Sequence, residues 1–444
     1  MSANTNNSRG YWNSRIGFIL AAAGSAIGLG NIWRFPYKAG ENGGAAFLIL
    51  YLVCVILLGL PIMLAELSLG KFSRKNPVGA FQAVKPGSKW KIVGFMGVFT
   101  GVGILSYYAV MAGYSLGYIV KIICCDGSTF ESFAANPAYS IPLFIIFTVL
   151  TALVVRGGIK NGIERWAKIL MPVLLGLLII LIIRSVTLEG AGEGLAFYFR
   201  PDFSKVTGKT FLDALGQAFF SLSLGMGAMI TYGSYLPDDS NVFSSGVSVA
   251  LFDTIIAILA GLLIFPALFS AGLQPDEGPS LVFKVLPRIF SSIPGGNIVG
   301  AAFFILLSIA ALTSTISLLE VATAYFVDEK HWLREKAVWI ISAIVLILGL
   351  PSALSQGIVP WLADLPLIHK SFLGMMDWLF GNLMLELGAL LLAIFVVHVW
   401  KTENVIKIIT RGRPGLKAIG TPFRFLMAFF CPVIILILLI FFIF

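Results

Sequence analysis

Residues 24–36 read Gly-Ser-Ala-Ile-Gly-Leu-Gly-Asn-Ile-Trp-Arg-Phe-Pro, in the middle of the chain's first long apolar segment. From Ile16 to Pro36 that segment is long enough to cross a bilayer at about 1.5 Å rise per residue. Its centre nevertheless holds Gly24, Gly28 and Gly30, with Asn31 and Arg34 close behind. A glycine weakens a helix by roughly 1 kcal/mol against alanine, so the cluster invites local unwinding. Backbone freed within hydrocarbon is tolerated only where protein packs around it or where it lines a cavity. Small residues at this spacing also let helices approach closely, but packing leaves Asn31 and Arg34 unexplained. An interrupted span with polar residues at the break predicts a binding site near the membrane midplane.

Composition fixes the class around that stretch. The 444 residues are 58% hydrophobic and 12% charged, with a mean hydropathy of +0.93, which is an all-α polytopic membrane protein. The net charge of +9 is no nucleic-acid footprint, because the basic residues sit in short loops between apolar runs. The run Ala21–Ala26 looks like a signal cleavage site, but the apolar segment continues past it, so no cleavable signal is expected. Cys54 and Cys431 lie in apolar runs and Cys124–Cys125 are adjacent near a helix end, an arrangement that supports neither a disulfide framework nor a metal site.

Hydropathy predicts eleven spans, near 16–37, 45–70, 92–124, 140–155, 166–187, 211–235, 245–272, 298–326, 336–354, 376–400 and 425–444. With the N-terminus cytoplasmic, the inside segments 1–15, 71–91, 156–168, 330–336 and 401–424 hold 21 of the 31 Lys and Arg. That is the positive-inside bias, and it puts the C-terminus outside. The sixth span repeats the oddity of the first: in residues 216–227, Gly-Gln-Ala-Phe-Phe-Ser-Leu-Ser-Leu-Gly-Met-Gly, Gly225 and Gly227 stand beside Ser221 and Ser223. Breaks in the first and sixth helices suggest two five-helix units, and an odd number of spans per unit forces the second to run inverted. The organisation expected is an N-terminal segment 1–15, a first repeat 16–187, an extracellular loop 188–210 and a second repeat 211–400. A cytoplasmic loop 401–424 and a last helix 425–444 complete it.

The break at 24–36, Gly40-Glu-Asn-Gly-Gly44, the stretch 216–227 and Leu312-Thr-Ser-Thr315 together resemble the neurotransmitter:sodium symporter family, over the first ten helices. Eleven helices are similar to its bacterial amino-acid transporters, specifically the hydrophobic and aromatic branch. The resemblance implies a LeuT-type 5+5 inverted repeat with helices 1 and 6 unwound at mid-membrane. It also implies two sodium ions held by hard oxygen ligands that replace the hydration shell. One would lie among the carbonyls of Gly24, Ile27 and Ala310 and the hydroxyls of Thr313 and Ser314, hydroxyls that could instead bond back to their own helix. The other would lie among the Ala26 carbonyl, Asn31, Ser221 and helix 7.

Helix 7 carries one ionisable residue, Asp253, in the run from Val247 to Phe269. An unpaired carboxylate near mid-bilayer costs at least about 2.5 kcal/mol, so a cation, protonation, snorkelling or an interhelical hydrogen bond must offset it. The resemblance makes Asp253 the acid that bacterial members carry where animal members use chloride, and a ligand of the second sodium; chloride is then not required. A shift of one residue would bring Phe252 into that register.

For the substrate, the resemblance implies a carboxylate on the Leu29 and Gly30 amides and the Tyr108 hydroxyl, and an ammonium on the carbonyls of Ala26 and Phe220. Gly28 stands where monoamine carriers place an acid, which leaves room for a substrate carboxylate. The implied walls are Ile104, Tyr108, Phe220, Met226 and Leu318, with Ser223 and Ser314 at the polar end. Arg34 and Asp377 resemble an external gate under a lid of Tyr108 and Phe220. Arg9, Trp12 and Asp328 with Ser234 and Tyr235 resemble a cytoplasmic one; exposed pairs of this kind can also be static. Gly162 and Pro172 share a bacterial spacing that suggests unwinding at the start of helix 5, where a plain helix N-terminus is equally expected.

Other chemistry has little support. Gly208-Lys-Thr210 looks like the end of a phosphate loop, but Phe203 stands where its first glycine is needed. His331, His369 and His398 show no metal or nucleophile spacing, and Glu66, Glu320 and Glu386 read as structural hydrogen-bonding groups ahead of the alternative, proton carriers. The expectation is a multi-pass cell-membrane protein, not an enzyme. It would import hydrophobic, large or aromatic L-amino acids with sodium by alternating access, with lipid around it and no nucleic-acid partner. The alternatives are a carrier of small neutral amino acids, or a substrate-gated channel or sensor on the same fold.

Overall fold

The computed structural model describes residues 10–273, 275, 281–292, 295–366, 368–411 and 414–443. Its first span is α1, broken into α1a (Arg15–Ala26) and α1b (Gly30–Glu41), which meet at 49°. There follow α2 (Ala45–Ser73), α3 (Lys91–Ile123), α4 (Pro137–Arg156) and α5 (Ile159–Val186). The sixth is α6a (Gly208–Ser221) and α6b (Ala228–Ser234). The rest are α7 (Val242–Ser270), α8 (Gly296–Lys330), α9 (Arg334–Leu354), α10 (Phe372–Trp400) and α11 (Gly415–Phe442). Nine of these are unbroken helices long and apolar enough to span a membrane, among the described residues. The bent pair α1 makes ten by the same measure, and α6a with α6b stands at the place of the remaining expected span.

Burial separates scaffold from rim. In α8, 78% of the apolar window is buried, against 33% in α5 and 28% in α11, whose free sides are the apolar faces a bilayer covers. The inner helices are joined by small hydroxyls, a recurrent adhesive where apolar surface gains nothing by leaving lipid. Ser115 on α3 meets Ser308 on α8 at 2.9 Å, and Thr151 on α4 meets Thr315 on α8 at 2.8 Å. Against this frame α1a packs on α5, α7 and α8.

Local sequence sets the ends. Ser14 caps α1a by accepting from the Gly17 amide, and Asn136 and Asn241 cap α4 and α7 in the same way. Thr207 and Thr210 form a reciprocal capping box that opens α6a, which gives Gly208-Lys-Thr210 a helix-start role. The start of α5 lies seven residues before the expected 166, because Ile159–Glu164 form a π-turn after Gly158 at φ +77°. Gly162 lies inside that turn, where the bacterial spacing suggested irregular backbone. All four cysteines are free thiols. In the loop after α3 the Asp126 carboxyl is held below its usual range by the Ser128 amide and hydroxyl, and Glu131 by its contact with Lys284.

Candidate functional site

The two helix breaks face one another at the centre of the bundle. Ile27 leaves helical geometry (φ −76°, ψ 99°), and the chain resumes through a π-turn, Gly30–Arg34. Amides and carbonyls released there turn to side chains from other helices. The Leu29 amide donates to the Tyr108 hydroxyl at 2.7 Å, and the Ser25 carbonyl accepts from Ser223 at 3.0 Å and Ser314 at 3.1 Å. Gly28 is glycine for a steric reason: an added Cβ would lie 2.3 Å from the Ser314 hydroxyl and 2.4 Å from that of Tyr108. Across the gap, Ser223 and Gly225 adopt φ +55° and +80°. A Cβ on Gly225 would fall 1.9 Å from the Leu385 carbonyl, so the second break is pressed against α10.

Between the breaks lies a cavity of about 20 Å³, room for about one water, lined by both breaks and by α3, α8 and α10. Ala26, Gly30, Ile104, Tyr108, Phe220, Ser223, Met226, Ser314 and Leu318 all line it. Leu29 reaches it only through its amide on Tyr108. Ser25, Gly28, Ser317 and Leu385 complete the lining and were not singled out as walls from sequence. Ser25 and Ser317 share a hydrogen bond at 2.7 Å. Any occupant of amino-acid size requires these walls to move.

Two oxygen-rich clusters flank the cavity. At the first, Thr313 donates to the Ala310 carbonyl at 2.9 Å and lies 3.3 Å from the Ile27 carbonyl. Gly24 backs on Thr313 and Met171 of α5. Ser314, expected to point into this cluster, turns its hydroxyl to the Ser25 carbonyl instead. At the second, Asp253 is fully buried. Its carboxylate accepts from Asn31 at 2.8 Å, from Ser221 at 2.7 and 2.8 Å, and from Tyr51 at 3.1 Å. The same geometry puts Asp253, and not Phe252, beside Asn31 and Ser221, since Phe252 is 38% exposed. Tyr51 was missed; a hydroxyl in the otherwise apolar run Ala45–Cys54 was its only signal. Gln217, also missed, donates to the Gly30 carbonyl at 2.7 Å. Among the described residues no group of three His, Cys, Asp or Glu could hold a metal.

Toward the end of α1b, Arg34 and Asp377 form no direct ion pair. Arg34 donates to the Asn382 side chain at 2.7 Å and its guanidinium lies 4.4 Å from the centre of the Phe220 ring. Asn382 in turn donates to the Asp377 carbonyl at 3.0 Å, and the Asp377 carboxylate accepts from Tyr107 at 2.9 Å. The π-turn Leu379–Met384 delivers Asn382 to that position. Lys38 and Asn42 at the end of α1b both reach Asp213 of α6a, at 3.0 and 3.1 Å, so the two half-helices are tied together.

At the other end, Trp12 donates through its indole to the Tyr232 carbonyl at 3.0 Å, and its ring packs edge-on against Tyr232 and Tyr235. Tyr235 donates to Glu320 at 2.8 Å, and Arg334, which sequence reading counted only as a loop charge, grips both Glu320 oxygens. Asp328 accepts from the backbone and side chain of Asn76. Ser234 bonds back to its own helix through Thr231, and Arg9 lies outside the described residues. Glu66 accepts from the Gly225 amide at 2.7 Å through one oxygen, and the other oxygen, like one of Glu386, is buried with no partner among the described residues.

Residues 9–126 and 131–444 match the model of the sodium:neurotransmitter symporter family. The chain is 40% identical over 437 residues to an uncharacterized sodium-dependent transporter, YhdH, of Bacillus subtilis, covering 96% of both. It is 39% identical to an uncharacterized sodium-dependent transporter of Haemophilus influenzae, covering 90% of this chain and 91% of that one. Its fold matches the crystal structure of MhsT in complex with L-phenylalanine at a TM-score of 0.89 and 46% identity, over 97% of this chain and 99% of that one.

Proposed function

Because the chain belongs to the sodium:neurotransmitter symporter family, and is thus a multi-pass, sodium-dependent membrane transporter, we propose that it imports hydrophobic L-amino acids, favouring large or aromatic ones. The observation that carries this reading is the cavity lining, in which Ile104, Phe220, Met226, Leu318 and Leu385 supply an uncharged subsite for a side chain. Burying a leucine- or phenylalanine-sized group there contributes roughly 1.5–3 kcal/mol, whereas a charged one would be left unpaired. Met226 is unbranched and polarizable and adapts to aromatic edges. Gly28 keeps space beside Tyr108 for the substrate's own carboxylate. That the fold neighbour MhsT is crystallised with L-phenylalanine supports the same class.

Two sodium ions travel with the substrate. One is held by carbonyls of Gly24, Ile27 and Ala310 with Thr313 and Ser314, once the Ser314 hydroxyl rotates from Ser25. The other is held by Ala26, Asn31, Ser221 and Asp253, where the carboxylate supplies the negative charge and makes chloride unnecessary. The N-terminus and the Lys-rich loops face the cytoplasm. Arg34, Asn382, Asp377 and Tyr107 close the outer side, and Trp12, Tyr235, Glu320 and Arg334 the inner. Competition of labelled tryptophan uptake into proteoliposomes by a panel of amino acids tests the substrate class. Leucine, phenylalanine and tyrosine should compete best; stronger competition by glutamate, lysine or γ-aminobutyrate overturns the reading, and alanine ahead of tyrosine removes the preference for size.

A further inference from the structure

A second cavity, of about 440 Å³, opens on the surface where the chain leaves α10, far in sequence from both helix breaks. Its floor and walls are Phe72 at the end of α2, Val84 of the short helix Pro77–Val84, and Val399, Trp400 and Ile408, with Asn404 and Lys407 at the rim. Phe72 is 54% exposed, and its ring lies against that of Trp400 with centroids 5.5 Å apart. Lys401, at φ +71°, turns the chain from α10 into the helix Thr402–Ile409. That helix buries Thr402, Val405 and Ile409 on the bundle and leaves Asn404 and Lys407 outward. Its own charges, Glu403 and Lys407, balance, and its apolar side is spent on the bundle.

Charge around this groove is predominantly basic. Lys85 follows Val84, Lys401 follows Trp400, and Lys407 is in the lining itself. All three are exposed, and none forms an ion pair with a described residue. The nearest acid in sequence, Glu403, is taken by Arg424 at 3.0 Å. An apolar slot walled by the buried Trp400 indole, with the Lys407 ammonium in its lining and Lys85 and Lys401 next to lining residues, is complementary to one occupant, an amphiphile with a negative head and a hydrocarbon tail.

We propose that this groove is a binding site for an anionic glycerophospholipid of the leaflet facing the Lys-rich loops. Its phosphate sits on Lys407 and Lys401, the Asn404 side-chain amide being held on the Trp400 carbonyl at 2.5 Å, and the upper part of an acyl chain lies along Phe72, Val84 and Ile408. The site is distinct from the cavity between α1 and α6 and independent of what that cavity carries.

The test uses the full chain purified in detergent and titrated with phosphatidylglycerol or phosphatidylcholine of equal chain length, with retained lipid read by native mass spectrometry. The wild type should retain phosphatidylglycerol at least about tenfold better, the sum of two or three lysine–phosphate contacts. The double variant Lys401→Ala/Lys407→Ala should lose that preference. Val84→Trp, which fills the slot and keeps every cation, should lose it too. Both should retain sodium-dependent amino-acid binding, since none of these residues touches the central site. Equal retention of the two lipids by the wild type overturns the proposal. So does an undiminished preference in either variant, the Val84→Trp case indicating surface charge without a seated chain. Displacement of the lipid by millimolar inorganic phosphate would point to a phosphate site alone and also overturn it.

Discussion

Asp253 concentrates the chemistry at the scale of single residues. A fully buried carboxylate held by Asn31, Ser221 and Tyr51 is an arrangement that gains from a cation and suffers without one. Replacement by asparagine keeps the shape and removes the charge. Asp253→Asn should therefore weaken sodium-dependent uptake by tenfold or more, on the order of one charge-assisted contact, or make it chloride-sensitive. Transport unaltered with and without chloride would remove Asp253 from the mechanism. Tyr51→Phe deletes one donor and should cost about 0.5–1.5 kcal/mol of sodium affinity, up to about tenfold in sodium-dependent binding; no change would reduce Tyr51 to packing. Asn31, Ser221 and Asp253 were each legible in sequence because a polar group in an apolar run calls for a partner. Tyr51 was not, since a tyrosine in such a run reads equally well as an aromatic wall. Arg334 was hidden differently: the residue lies at a helix start, and only the fold brings it to Glu320, fourteen positions back.

At the scale of elements, the breaks in α1 and α6 were the most readable feature, because polar residues beside the clustered glycines are not explained by close packing alone. Helix limits were less so where polar residues belong to helices. The start of α5 hides in a π-turn containing Lys160, and the last span begins near Gly415 rather than 425 because Lys417 and Arg424 depress its hydropathy. The α6 break also shows why its glycine cannot be replaced. Gly225 is in the left-handed region, its amide is held by Glu66, and a Cβ would collide with the Leu385 carbonyl. Gly225→Ala should then cost at least about 1–3 kcal/mol for the backbone conformation alone, with the collision pushing α10 away from α6. A thermal-shift assay in detergent should register a fall of several degrees together with loss of substrate-induced stabilisation. An unchanged midpoint with normal substrate stabilisation would mean that the break does not depend on this contact. The tie from Lys38 and Asn42 to Asp213 suggests that α1b and α6a move as a pair.

For the whole molecule, both proposed gates are closed at once. Arg34 bonds Asn382 and lies over Phe220 of the cavity wall, Trp12, Tyr235, Glu320 and Arg334 are joined in the other proposed gate, and the cavity at the helix breaks holds about 20 Å³. A pore needs a conformation continuous from end to end; two independent closures around one small site are the parts of a carrier, which opens them in turn. On the proposed reading, two sodium ions entering with a zwitterion move two charges, worth about 4.6 kcal/mol at 100 mV. That alone sustains accumulation on the order of a thousandfold. Uptake into vesicles should therefore require an inward sodium gradient, rise with a negative interior and fail when potassium replaces sodium. Asn31→Ala and Thr313→Ala, each removing a ligand from one proposed site, should both abolish the sodium dependence of substrate binding, and normal affinity in either would count against that site. Unlabelled substrate inside the vesicles should accelerate entry of labelled substrate, because a carrier returns loaded faster than it returns alone. Uptake indifferent to internal substrate, with current that follows voltage without saturating in substrate, is the behaviour of a channel and would refute the carrier reading.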